Sequence, residues 1–235
     1  MISWLGRHGS GAESPRSRKR TASLPVERVS IEAIRPEPRA VIAQAAYLQL
    51  GAFEALSRAA GAAPDLHAKA ALSAAAGLVL AKHRALFAEL ERRGVSPADA
   101  MAEYRPGIDA FYELVAGADW YEALASIYLT SGLLDDFFSR LAAGIEDGGA
   151  KVSAVIAGDS GTDAIVALLA AGMEADPKLA SRLAVWGRRL VGDTLLVARS
   201  ALPPTERTAE HRIEPVLTEL MAEHTRRMDR LGLTA

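Results

Sequence analysis

The sequence predicts an all-α protein built as a bundle of long helices. Three observations carry that reading. Ala, Leu, Glu and Arg dominate after Pro38, and these are strong helix formers. Alternating β-branched runs are almost absent. Apolar residues recur at spacings of three and four between well-placed breakers, the period of one buried helix face.

Residues 1–34 are read as a tail. They are rich in Ser, Gly, Pro and Arg, include the basic cluster Arg16, Arg18, Lys19 and Arg20, and show no hydrophobic period. Such composition predicts a disordered basic segment. The helical domain then covers 35–235. Breakers at Gly61 to Pro64, Gly94 to Pro97, Gly117 to Asp119, Asp147 to Gly149, Gly172 to Pro177 and Pro203-Pro204 divide it. The predicted helices are 37–60, 65–93, 97–116 with a bend at Pro106, 119–146, 150–171, 177–201 and 205–231. Ser96 before Pro97 and Asp176 before Pro177 have the N-cap and first-turn proline arrangement.

Composition narrows the function. The 235 residues are 50% hydrophobic and 24% charged, ordinary for one globular domain. A formal net charge of −2 gives no overall bias toward nucleic acid or anionic lipid. With no cysteine, thiolate catalysis, disulfides, Cys-ligated zinc and iron–sulfur clusters are excluded. The longest mostly apolar run, Ala70 to Ala81, falls short of the ~20 residues of a membrane span. The N-terminus lacks the apolar segment of a secretory signal. The expectation is a cytoplasmic protein without membrane contact.

The first, second, fourth and fifth helices are read as the four that span the bundle. Their core stripes read Ile42, Ala46, Gln49, Phe53; Leu72, Ala76, Val79, His83, Leu86; Leu124, Ile127, Ser131, Leu134; and Val152, Val155, Asp159, Thr162, Val166. Each carries a polar residue near its middle. Gln49 and His83 lie 34 positions apart, and Ser131 and Asp159 lie 28 apart, so two hairpins offer polar groups at similar depth. A buried imidazole needs a partner, since leaving one unmade costs about 1–3 kcal/mol. Asp159 is the expected partner of His83.

The segments "AYLQLGAFEAL" at 46, "GLVLAKHRALFAELERRG" at 77, "PGIDAFYELVAGADWYEALASIYLTSGLLDDFFSRLA" at 106 and "VIAGDSGTDAIV" at 155 carry a resemblance. The chain resembles actinobacterial ferritin-like proteins similar to the tRNA 2-methylthio-N6-isopentenyladenosine hydroxylase, a non-haem diiron enzyme. The resemblance implies a ferritin-like four-helix bundle with additional C-terminal helices. It also implies a dimetal centre held by carboxylates and Glu-x-x-His pairs. Carried over position by position, the ligand sites fall on Gln49, on Leu80 and His83, on Ser131, and on Asp159 and Thr162. Only His83 and Asp159 keep a ligating residue type, too little charge for two divalent ions.

The expectation is therefore a degenerate site with no metal and no cofactor. The function expected is a non-catalytic binding or scaffold module for a protein or a small apolar ligand. The alternative is an active non-haem diiron monooxygenase or hydroxylase acting on a modified nucleoside or small molecule, with iron. It would draw on carboxylates one helical step off the stripes: Glu54, Glu89, Asp135, Asp136 or Asp163, of which Asp135 could face inward. Arg182, Arg188, Arg189, Arg199, Arg226, Arg227 and Arg230 lie among Glu206, Glu210, Glu214, Glu219 and Glu223 and read as a solvated face, with only weak support for RNA. His67, His211 and His224 read as surface residues. Trp120, Tyr121 and Trp186 read as packing anchors.

Overall fold

The computed structural model describes residue 31, residues 34–202 and residues 210–234. The predicted basic tail up to residue 30 and the start of the last predicted helix, 205–209, lie outside the described residues, as does the His211 side chain.

The described residues contain helices and no strands. Helix α1 (Pro38–Gly61) starts where the Glu37 carboxylate accepts the Arg39 and Ala40 amides at 2.9 and 2.5 Å, with Pro38 in its first turn. Helix α2 (Leu66–Arg92) starts where Asp65 accepts the Ala68 amide at 2.8 Å. The two pack along their length as a hairpin. The predicted 97–116 helix is two short ones, α3 (Pro97–Ala102) and α4 (Arg105–Leu114). Pro106 lies in the first turn of α4, so the break falls just before it.

The predicted helix 119–146 is one rod in three parts: α5 (Trp120–Ser126), a π-helical segment Ile127–Ser131, and α6 (Gly132–Ala143). Asp119 caps it by accepting the Glu122 amide at 2.9 Å. The predicted helix 150–171 is interrupted. It divides into α7 (Gly149–Ile156) and α8 (Thr162–Ala175). Gly161, at φ +71°, makes the turn between them, a left-handed conformation that favours glycine. Helix α9 (Pro177–Ser200) starts on Asp176, which accepts the Lys178 amide at 3.0 Å as its sequence suggests. Helix α10 spans Glu210–Arg230.

Helix α1 packs on α6, and α2 on α7 and α8, closing a four-helix core. Leu56, Leu72, Leu86, Leu129, Phe137 and Phe138 are among its fully buried side chains. Helix α9 lies across α5, α6 and α8, and α10 covers α9 and α6. The anchors behave as read: Trp120 Nε1 donates to the Ala59 carbonyl at 2.9 Å, and Trp186 Nε1 to Ser126 Oγ at 2.8 Å. By length and composition α2 is long and apolar enough to cross a bilayer, yet it packs along α1 and carries buried Lys82 and His83.

Candidate functional site: a buried lysine–aspartate centre

Lys82 lies midway along α2 on the stripe of Val79 and Leu86, and is 5% exposed. Lysine is almost never so buried unless paired. Here its ammonium has three acceptors for three N–H bonds: Asp135 Oδ2 at 2.8 Å, the Ile156 carbonyl at 2.7 Å and Ser160 Oγ at 2.6 Å. The interruption between α7 and α8 supplies two of these. Ile156 is the last residue of α7, where carbonyls have no partner within the helix and the dipole favours a cation.

Asp135 stands in the first turn of α6, just past the π-helical segment, with its side chain 14% exposed. Besides Lys82 it accepts Gln49 Nε2 at 2.6 Å on Oδ1 and Ser160 Oγ at 3.2 Å on Oδ2. Burial pushes its carboxyl above the usual range, and the Lys82 ammonium, the Gln49 amide and the Ser160 hydroxyl oppose that push. The cluster thus draws on α1, α2, α6, α7 and the turn before α8.

Of the residues singled out from the sequence, Gln49 belongs to this cluster. His83 does not. Its Nδ1 lies 2.8 Å from the Ala46 carbonyl on α1, and its ring packs near Phe87. The expected His83–Asp159 pair is not formed. Asp159 is exposed, and its Oδ1 accepts the Gly161 amide at 2.8 Å in the turn. The reason is angular: neighbouring helix positions point about 100° apart, so Lys82 faces α6 and α7 while His83 faces α1. Leu80 is half-buried on α2, and Thr162 is half-buried at the start of α8. Ser131 ends the π-helical segment. Its Oγ is buried beside the Tyr112 hydroxyl, with no hydrogen bond of good geometry among the described residues.

Among the offset carboxylates, Asp135 is the one that enters the centre. Glu89 is buried at the end of α2 between Arg92 and Arg93. Glu54 pairs with Arg58, Asp136 with Arg227 and Asp163 with Arg230 near the surface. The arginines of α9 and α10 are largely engaged in the same way. Arg182 holds Asp119, Arg226 holds Glu223, and Arg189 stacks on Trp186. His67 is exposed as expected. His224 is a correction: it is buried, because Val216, Leu220, His224 and Met228 form one stripe at intervals of four facing the bundle.

Tyr112 of α4 walls the centre. Its hydroxyl donates to the Leu48 carbonyl at 2.7 Å, and burial holds the phenol far above its ordinary range. Its ring lies on Gly51, where any Cβ would come within 2.2 Å of a ring carbon. Two small cavities border Asp135. One, of about 10 Å³, is lined by Gln49, Tyr112 and Ser131; the other, of about 30 Å³, by Ser131, Ser160 and Thr162. A larger cleft of about 300 Å³ opens between the end of α1, the end of α4 and the π-helical segment, and Tyr112 lines that too. Such one-turn π segments recur at functional sites.

The donor set differs from that of a four-helix dimetal centre. That centre takes a carboxylate from each of two helices and a Glu-x-x-His pair from each of the others. Among the described residues no group of three or more His, Asp or Glu side chains is placed to hold a metal ion. The single carboxylate of the centre already neutralises an ammonium.

The sequence of residues 39–210 matches a family model described as a ferritin-like domain of actinomycetes. No curated protein matches the chain. The family match spans most of the chain and agrees with the all-α bundle observed. The protein therefore belongs to the family of ferritin-like domains from actinomycetes.

Proposed function

We propose that this chain is a metal-free ferritin-like protein, a relative of tRNA-modifying diiron hydroxylases that has exchanged its metals for an internal ion pair. It acts in the cytoplasm as a non-catalytic binding module. The observation that carries this reading is the Lys82 ammonium 2.8 Å from Asp135, at the heart of the bundle. Two divalent ions need several carboxylates to balance them and open positions to bind oxygen. Among the described residues Asp135 is the one carboxylate in contact with Lys82, and the other contacts of the pair are the Gln49 amide, a serine hydroxyl and a backbone carbonyl. A cation brought beside Asp135 would face a fixed positive charge in a weakly screened interior, where like charges repel by several kcal/mol.

Lys82 also gives the site a charge balance that needs no metal. A buried carboxylate alone is costly, and so is a buried ammonium. Together, with every N–H of the ammonium accepted, they satisfy each other. The test is elemental analysis of the chain produced in iron-supplemented medium and dialysed. The expected content is below about one-tenth of an iron or manganese ion per chain. A content of about two ions per chain, the dimetal stoichiometry, would overturn the proposal.

A further inference from the structure

Two clefts adjoin at Tyr112. The inner one, about 300 Å³, has walls of alanine (Ala55, Ala59, Ala116, Ala123) with Trp120 and Ile127. Its two hydroxyls have partners, Thr130 Oγ1 donating to the Ser126 carbonyl and Ser126 Oγ accepting Trp186 Nε1, and Arg58 and Asp119 are the charged groups of its lining. The size is at the lower end of the range for small-molecule pockets, about 300–1,000 Å³. The outer groove, about 510 Å³, runs between α1 and α4. Arg58, Tyr112 and Ala116 line both, so the two are neighbours across these three side chains.

The outer groove is acidic. Glu54, Asp109 and Glu113 line it against Arg58 and Arg105. Asp109 accepts Arg105 at 3.2 Å and the Tyr47 hydroxyl at 2.6 Å. Glu54 and Arg58 pair loosely at 3.8 Å, both exposed. Glu113 adds a carboxylate beyond these two pairs. Asp119, at the inner rim, is held by Arg182 and by the Glu122 amide. The Tyr47 and Tyr112 rings also line the groove, and aromatic faces attract cations.

We propose that the two clefts form one binding site for a small amphipathic amine, its apolar body in the inner cleft and its ammonium in the outer groove near Glu113 and Glu54. The proposal rests on the binding-module reading above and names its ligand class. An anionic head would meet three carboxylates against two guanidiniums. A wholly apolar ligand would leave the charged groove unused.

The test is isothermal titration of the full chain, at low salt, with 4-phenylbutylamine, 4-phenylbutyrate and 4-phenylbutanol. The expected result is saturable binding of one amine per chain, at least about fivefold tighter than the acid, as exposed charge pairs allow. Glu113→Gln is expected to weaken the amine about three- to fivefold and leave the alcohol unchanged. Ala116 and Ala118 are exposed and line the inner cleft, so Ala116→Phe and Ala118→Phe block it without disturbing the core. Either block is expected to abolish amine binding while the circular dichroism melt stays unchanged. Absence of saturable amine binding, equal affinity for amine and acid, or full binding in both blocked variants would overturn the proposal. Metal content measured on the same preparation separates the two readings. A metal-free chain that ignores the amine sinks the ligand assignment alone, whereas a chain loaded with iron sinks the metal-free reading whatever the amine does.

Discussion

Lys82→Met removes the internal cation while keeping the shape of its stem. The structure gives the size of the effect. At 2.8 Å, and with the effective dielectric of about 20 that suits partly screened sites, the lost attraction is about 6 kcal/mol before solvation is counted. The Ile156 carbonyl also loses a donor. Relief from burying the ammonium offsets part of this. Breaking one side of a buried pair costs about 3–5 kcal/mol in practice. Urea unfolding at pH 7 should show that loss as a fall in midpoint of about 1–2 M. The penalty has a pH signature. Burial already raises the Asp135 carboxyl above 3.8, and without Lys82 it rises further. The folded variant then holds a proton that the unfolded chain releases, so its stability falls as pH rises from about 4 through the folded value. The variant should recover toward wild type near pH 4. Removing both charges, as Lys82→Met with Asp135→Leu, should restore most of the loss at pH 7. A single-variant loss below about 1 kcal/mol, or a penalty equal at pH 4 and pH 7, would refute the reasoning.

Other residues make separate tests. Gly51→Ala places a methyl 2.2 Å from Tyr112 Cε2 and should cost about 1–3 kcal/mol; pairing it with Tyr112→Leu should cost less than the sum of the two single changes. Glu89 is pulled down to about 2, first by its bond to Arg92 and against the opposing effect of burial, with Arg93 adding to the pull. Its contribution is complete above about pH 4.5 and fades as pH falls toward 2, so Glu89→Gln should flatten stability over that window and cost about 1–2 kcal/mol at pH 7. Burial lowers the His224 pKa, while its bond to the Gly187 backbone opposes the shift. Stability should therefore hold above about pH 6.5 and fall below it, and His224→Gln should remove that slope in thermal melts between pH 7 and 5.

Much of the bundle was legible because helix signals are local. Proline with a preceding acid or serine marks a start, and Asp176 does what its position promises. The interruption at 157–161 was legible but missed: the helical stripe was carried from Val155 to Val166 through Asp159 and Thr162, although Gly158, Asp159, Ser160 and Gly161 form a cluster of turn residues. The site was half legible. Gln49 and Ser131 were found by their depth on two stripes, and Asp135 as a carboxylate one step away. Lys82 was missed, since a lysine beside an apolar run reads as a solvated boundary. The available signal was its spacing: three after Val79 and four before Leu86, on the buried face. What spacing could not supply was the set of acceptors, which come from positions 53, 74 and 78 residues away.

Those long separations explain what the pair does for the bundle. Gln49, Lys82, Asp135, Ile156 and Ser160 come from each of the four core helices and the turn beside them, and they meet within hydrogen-bond reach of Asp135 or Lys82. Helices α1 and α2 are rich in alanine but also bury Ile42, Leu48, Leu56, Leu72, Leu86 and Leu90, and the His83–Ala46 contact joins them, so packing and the polar cluster set their register together. A shift of one helical turn, about 5.4 Å, would carry the ammonium away from all three acceptors and leave two charges buried without partners. The ion pair thus penalises wrong registers in addition to what the apolar packing selects. A dimetal centre fixes register by the same logic, since its ligands also come from every helix. On this argument the double Lys82 and Asp135 replacement regains stability while losing the part of the penalty on shifted registers that the charges supplied.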